Sequence, residues 1–152
     1  DADTIKSMYP AYPMWFSTRD MARIGYLMLR NGRWKDKQIT TENWVNTITT
    51  SFTSTKEMKE FKSPYYKDGA YMRYFGYGYL WWVWDAPENK GAYEGAYTAQ
   101  GNFGQYITVL PALDVVIAHK TKAAYDRYTS NYLTILTKLI AANNSELSAK
   151  NK

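Results

Sequence analysis

Residues 106–119 read YITVLPALDVVIAH, two short apolar runs on either side of a turn. The first run, Tyr106 to Leu110, and the second, Val115 to His119, are rich in the β-branched and aromatic residues that favour strands. The four residues between them begin with Pro111 and end with Asp114, and so short a connection allows only an antiparallel pair. This stretch predicts a hairpin, to which the other predicted strands of the sheet are added.

Two further strands are predicted upstream of the hairpin. Residues 77–84, YGYLWWVW, form one by composition, and Gly95 to Gln100 form the other. Because neighbouring residues of a strand point to opposite faces, Trp82 and Trp84 should share one side of the sheet, with Trp81 on the other.

Helices are predicted on both sides of these strands in the sequence. Ser17 and Asp20 have capping-box spacing, and apolar residues recur at helical intervals after them, which predicts a helix over residues 18–31. A second helix should begin at Thr40 or Thr41, and a last one should cover residues 131–142 and end at Asn143.

This order predicts an α+β fold in which an antiparallel sheet of about four strands is flanked by helices and covered on one face. Residues 52–75 show no sustained period and predict a surface excursion, and residues 144–152 predict a frayed tail.

Composition excludes several classes of function. The 152 residues contain no cysteine and one histidine, which excludes thiolate metal sites and predicts neither a metal nor a cofactor. The net charge of +5 is scattered along the chain, unlike the clustered basic residues of a nucleic-acid binder. No apolar run approaches the ~20 residues that span a bilayer, and the acidic start is unlike a signal peptide.

Few residues could carry chemistry. The sequence has no G-x-S-x-G, no H-E-x-x-H and no P-loop, and the single imidazole, His119, lies in a predicted strand where a structural role is favoured over catalysis. One segment is different: Thr98 to Gln105, TAQGNFGQ, places two glycines between predicted strands. Glycines there let the backbone approach a ligand and turn an N–H outward, although such a pair is more often only a turn.

Three segments together resemble a known group of enzymes: residues 16–40 (FSTRDMARIGYLMLRNGRWKDKQIT), 77–82 (YGYLWW) and 99–121 (AQGNFGQYITVLPALDVVIAHKT). They are similar to the C-terminal portion of the serine β-lactamase-like, penicillin-binding-protein-like superfamily. The branch is that of class C β-lactamases, D-alanyl-D-alanine peptidases and 6-aminohexanoate-dimer hydrolases. The similarity covers about residues 10–143 and keeps the order of the segments.

The resemblance implies hydrolysis of amide or ester bonds through an acyl-serine, with an S-x-x-K serine and lysine and a tyrosine from Y-x-N. Neither motif occurs in this sequence, so residues 1–152 are expected to be one segment, the C-terminal part of a larger domain, inactive alone. Its partners would be a small or peptide-like substrate and the missing N-terminal part, in a bacterial periplasmic or secreted protein. The implied oxyanion donor is the backbone N–H of Asn102, and the implied substrate-binding residues are Gln100, Gly101, Phe103, Gly104 and Gln105.

Two other interpretations remain open. The aromatic residues could form a glycan or peptidoglycan binding module without catalysis, or the chain could be a structural or regulatory domain. A binding module predicts two or more coplanar exposed Trp or Tyr rings. The hydrolase predicts that the turn 101–105 lies at an exposed edge of the sheet next to an apolar surface.

Overall fold

A computed structural model describes residues 14–60, 74–101, 104–121 and 132–150. The first helix, α1 (Thr18–Leu29), begins with the predicted capping box: the Ser17 hydroxyl accepts from the Asp20 N–H at 3.1 Å, and the Asp20 carboxylate accepts from the Ser17 N–H at 3.3 Å. It ends two residues earlier than predicted, because Asn31 and Gly32 take left-handed conformations, with φ of 51° and 81°.

Short elements follow α1. Strands β1 (Arg33–Trp34) and β2 (Lys37–Gln38) pair as a small hairpin that the sequence did not predict. Helix α2 (Glu42–Ile48) is capped by the Thr41 hydroxyl, which accepts from the Trp44 N–H at 3.1 Å and confirms the predicted start. A short helix, α3 (Thr55–Glu60), lies within the predicted excursion, and residues 61–73 of that excursion lie outside the described residues.

The main sheet has five antiparallel strands in chain order, one more than the four predicted. They are β3 (Gly76–Tyr77), β4 (Trp82–Val83), β5 (Tyr97–Gly101), β6 (Gln105–Leu110) and β7 (Val115–Lys120). The β6–β7 hairpin is confirmed, with a 3₁₀ turn at Pro111–Leu113 followed by Asp114 in the left-handed region.

The prediction of one strand over residues 77–84 was wrong. These residues form the β3–β4 hairpin, whose turn is closed by the Gly78 N–H donating to the Trp81 carbonyl at 2.8 Å. Leu80 in this turn has a φ of 64°, and a Cβ at Gly78 would lie 2.4 Å from the Ile48 carbonyl oxygen. Tertiary contact with α2 therefore overrides the strand propensity of the aromatic residues.

Helices cover both faces of the sheet, which corrects the prediction of one covered face. The last helix, α4 (Tyr132–Lys150), packs on the side opposite α1, because alternate residues of β5, β6 and β7 are apolar on both sides. We call the two sides the α1 face and the α4 face. The α1 face buries Met21, Met28, Val45, Trp81, Tyr97, Ile107 and Val109. The α4 face buries Phe75, Trp84, Ala96, Leu110, Tyr132, Leu136 and Ile140.

Helix α4 also corrects the predicted end at Asn143. It continues to Lys150, through most of the segment predicted as a frayed tail. Asn143 and Asn144 each lower helix propensity by less than about 0.7 kcal/mol, which two residues inside a long helix can absorb. In the part of the chain that the structure describes, no helix is long and apolar enough to cross a membrane.

Candidate functional site

The last residues of β5 form an open edge of the sheet. Strand β4 pairs only with Tyr97 and Thr98, so residues 99–101 extend beyond its end. The Trp84 N–H donates to the Ala96 carbonyl at 3.0 Å, which shows that Ala96 turns its backbone groups toward β4. Because this direction alternates along a strand, the N–H and C=O of Gln100 also point to that side, where the described chain has no paired strand.

The turn after β5 packs closely on its neighbours. Gly101 is exposed and pairs with Gln105, whose side-chain oxygen would lie 2.7 Å from a Cβ added at Gly101. Gly104 has a φ of 81°, and a Cβ there would lie 2.7 Å from the Thr121 hydroxyl. Gly104 therefore has a local structural reason to lack a side chain, whereas at Gly101 the obstacle is the flexible end of the Gln105 side chain. Asn102 and Phe103, the other two predicted site residues, lie outside the described residues.

A row of polar and aromatic side chains crosses three strands beside this turn. Gln100, Tyr106 and His119 are successive partners across β5, β6 and β7, on the α4 face. His119 Nδ1 lies 3.2 Å from the Gly104 carbonyl oxygen. The side-chain nitrogen of Gln100 is buried and finds no hydrogen-bond partner among the described residues. Of the predicted site residues, Gly104 thus contacts the histidine directly, and Gln100 lies two strands away with Tyr106 between them.

The row continues into a buried chain of hydroxyl groups. The Trp84 indole N–H donates to the Thr98 hydroxyl at 2.9 Å, and Thr98 is 2.9 Å from the Thr108 hydroxyl. Thr108 in turn bonds the phenol of Tyr132 on α4. The Tyr132 ring stacks on Tyr106 with centroids 3.8 Å apart. Burial raises the pKa of Tyr132 to about 12, opposed by the hydrogen bond from Thr108.

The sequence alone did not identify His119 and Tyr132 as neighbours of the candidate site. The predicted hairpin already implied that Tyr106 faces His119, because a four-residue turn between Leu110 and Val115 fixes that register. No sequence pattern predicts the position of Tyr132, because that position depends on how α4 packs against the sheet.

Among the described residues, the exposed rings of Phe52, Tyr79 and Trp44 do not form the platform that a binding module requires. Trp81 and Trp84 are buried on opposite faces, at 7% and 6% exposure, as the strand alternation predicted. The exposed rings of Phe52 and Tyr79 stack on one another, with centroids 4.7 Å apart and 15° between planes. Trp44 is tilted 36° to Tyr79. Stacked rings cover each other's faces, so in the described chain this group does not offer side-by-side coplanar rings to a sugar.

Titratable and metal-ligating groups are sparse around the turn. Among residues 14–60, 74–101, 104–121 and 132–150, no group of three or more His, Asp or Glu side chains could hold a metal ion. Lys120, in the row of Gly101 and Gln105, donates to the Phe16 carbonyl at 2.9 Å. What the described site offers is therefore backbone hydrogen-bonding groups, amide side chains and one imidazole.

Comparison with known proteins gives a similarity of fold. No family model and no curated protein matches the chain. The structure matches a solved structure named "Putative 6-aminohexanoate-dimer hydrolase from Bacillus anthracis", with a TM-score of 0.58 and 24% sequence identity. The match covers 86% of this chain and 29% of that one, so this chain spans less than a third of its length. The similarity supports the predicted α+β fold class, which in this chain is a five-stranded antiparallel sheet flanked by helices.

Proposed function

We propose that this chain supplies one wall of the active site of a serine β-lactamase-like hydrolase that opens amide or ester bonds. The observation that carries the proposal is the open edge of β5, where Gln100 and the exposed Gly101 extend beyond the end of β4. An extended amide substrate can pair with such an edge through its own backbone groups. The fold similarity to a protein named as a hydrolase supports the same assignment.

The proposed chemistry needs groups that these residues do not contain. A serine Oγ attacks the substrate carbonyl, and its proton passes to a lysine or tyrosine base and then to the leaving amine or alcohol. Water afterwards hydrolyses the acyl-serine. The sequence has no S-x-x-K and no Y-x-N, so we place the nucleophile and base in another part of a longer protein, of which this chain is the C-terminal portion.

The role we assign to the turn is stabilisation of the oxyanion. In the proposal the backbone N–H of Asn102 donates to it, while Gln100, Gly101, Phe103, Gly104 and Gln105 contact the substrate. A preorganised donor of this kind contributes about 3 to 4 kcal/mol to transition-state stabilisation. It contributes nothing without a nucleophile, and for this reason we expect residues 1–152 alone to be inactive.

An exposed apolar surface beside the site also supports the proposal. Lys120, which pairs with Gln105, contacts the Phe16 backbone, and Met14 and Trp15 next to it are 73% and 93% exposed. Three consecutive large apolar residues on the surface are typical of a face that another segment covers. We infer that the part of the protein carrying the nucleophile packs here.

The test is to trap the acyl-enzyme. The intact protein is treated with p-nitrophenyl acetate or nitrocefin, and the adduct is located by mass spectrometry. We expect one acyl group on a serine outside residues 1–152, and no turnover by the 152-residue chain alone. An adduct on a serine within these residues, or hydrolysis by the chain alone, would contradict the proposal.

Two glycine variants test whether this chain forms a wall of the active site. Gly101→Val places a side chain against Gln105 at the end of the open edge and should lower kcat/KM by up to about 100-fold, the cost that a misplacement of about 1 Å can carry. Gly91→Asn is the matched control, because its φ of 62° suits Asn and a Cβ there meets nothing within 4 Å. Equal activity of the two variants would place the substrate elsewhere.

A further inference from the structure

We propose that His119 is a positioning residue that fixes Gly104, the residue before β6, by donating its Nδ1–H to the Gly104 carbonyl. The two atoms lie 3.2 Å apart, and a carbonyl oxygen can only accept, so Nδ1 carries the proton. The consequence for catalysis rests on the proposed function, whereas the contact itself does not.

The acceptor lies where the turn needs a constraint. Gly104 takes a left-handed conformation with a φ of 81°, one residue before β6 begins. Glycine populates this conformation and its alternatives with similar ease, so the residue type alone does not hold it. A hydrogen bond from the neighbouring strand to its carbonyl selects one orientation of the peptide plane. The bond therefore reduces the conformations open to Gly104.

The imidazole is itself held in place by two tyrosine rings on the same α4 face. Its ring lies 5.9 Å from the Tyr106 ring and 5.5 Å from the Tyr132 ring, centroid to centroid. Tyr132 is fixed by its stack on Tyr106 and by its bond to Thr108. Helix α4 thus sets the orientation of His119, and His119 sets the turn. A site on a turn gains its precision from such supporting contacts.

This arrangement explains why a single histidine is placed in a strand without any acid or nucleophile on the described chain beside it. Its Nδ1 is used in a structural bond to the backbone. We assign His119 a positioning role, and its effect on the reaction passes through the position of Gly104.

Two substitutions of similar polarity test the proposal in the intact protein. The side-chain N–H of Asn in His119→Asn occupies nearly the position of Nδ1, whereas that of Gln in His119→Gln is displaced toward Nε2. We expect the amides of Gly101 and Gln105, which pair across β5 and β6, to keep their hydrogen-exchange protection with Asn and to lose at least tenfold with Gln. We also expect kcat to fall about 10- to 100-fold with Gln while KM changes little, and Asn to restore most of kcat.

The outcomes separate the two proposals. If both variants retain the protection of Gly101 and Gln105, the positioning role is wrong. If Gln loosens the turn and Asn does not, but kcat is unchanged, the positioning role stands and the oxyanion assignment falls. A measurement on the unmodified protein guards against variants that do not fold: long-range ¹H–¹⁵N spectra should show a protonated Nδ1. An unprotonated Nδ1 would overturn the inference by itself.

Discussion

The two faces of the sheet are built from different chemistry. On the α1 face a helix approaches the strands at a glycine, Gly25, where an added Cβ would lie 2.4 Å from the Val116 Cγ1 atom. On the α4 face the helix is separated from the strands by aromatic rings and by the hydroxyl chain that ends at Tyr132. The α1 face is held by close apolar packing, and the α4 face also depends on directed hydrogen bonds.

A buried tyrosine on each face shows the difference. Burial alone raises the pKa of Tyr97 on the α1 face, to well above its ordinary value of 10.0. Tyr132 on the α4 face is buried to a similar degree, but the hydrogen bond from Thr108 opposes the rise and its pKa is about 12. The hydrogen bond therefore makes ionisation of the buried tyrosine less costly on the α4 face than on the α1 face.

The largest expected effect comes from truncating the core of the α4 face. Leu136 is completely buried, so Leu136→Ala should lower the free energy of unfolding by about 2 to 5 kcal/mol. Met28→Ala on the α1 face should cost less, because Met28 retains some exposure and its flexible neighbours can close part of the cavity. Urea unfolding of both variants measures the difference, and a larger loss from Met28→Ala would reverse the comparison.

Next in size is the close approach on the α1 face. Gly25→Ala should lower the free energy of unfolding by about 1 to 3 kcal/mol, because the new methyl group overlaps Val116 and Ile107. This loss opposes the gain of about 1 kcal/mol that alanine brings to a helix. Adding Val116→Ala should recover part of the loss. Purely additive effects in the double-mutant cycle would show that the contact does not limit the approach of α1.

A somewhat smaller effect is expected at the hydroxyl chain. Thr108→Val removes the group between Thr98 and Tyr132 and should lower the free energy of unfolding by about 1 to 2 kcal/mol. It should also raise the pKa of Tyr132 further, since the lost bond lowered it. Spectrophotometric titration checks this shift, with Tyr132→Phe identifying the signal.

The same tyrosine gives the sign of the alkaline pH dependence. Its folded pKa of about 12 exceeds the ordinary value of 10.0, so its contribution to stability is complete below pH 10 and declines as the pH rises from 10 toward 12. Tyr132→Phe should flatten this part of the profile. An unchanged slope in that variant would assign the dependence to other groups.

The smallest effect is expected at the surface, in the turn between β6 and β7. Arg30 donates to Asp114 at 2.7 and 2.9 Å and holds the pKa of that carboxyl below its ordinary 3.8. The pair therefore stabilises the fold above pH 3.8, and this contribution is lost as the pH falls through the folded pKa. Asp114→Asn keeps a residue that tolerates the φ of 54° and should show a shallower acid decline in urea unfolding. Identical acid profiles would show that the pair contributes nothing.

The parts of the fold that depend on local patterns were predictable. The capping box at Ser17, the Thr41 cap and the β6–β7 hairpin all follow from neighbouring residues, and the structure has each of them. The two faces of the Trp residues followed from strand alternation alone.

The errors come from contacts between distant segments. The β3–β4 hairpin forms because Gly78 packs against the carbonyl of Ile48, and no pattern within residues 77–84 shows this. The second covered face depends on α4 reaching the sheet. For the candidate site, the sequence indicated the turn and its glycines but not the imidazole bonded to it, and the assignment of Asn102 and Phe103 stays a prediction.

The glycine on the inner side of α1 has a consequence for the evolution of this protein. Since position 25 and position 116 share one small volume, a homologue that gains a methyl group at one must give up bulk at the other or move the helix. The two positions should therefore covary across related sequences, and that covariation would mark the helix-to-sheet distance as an inherited property of the fold.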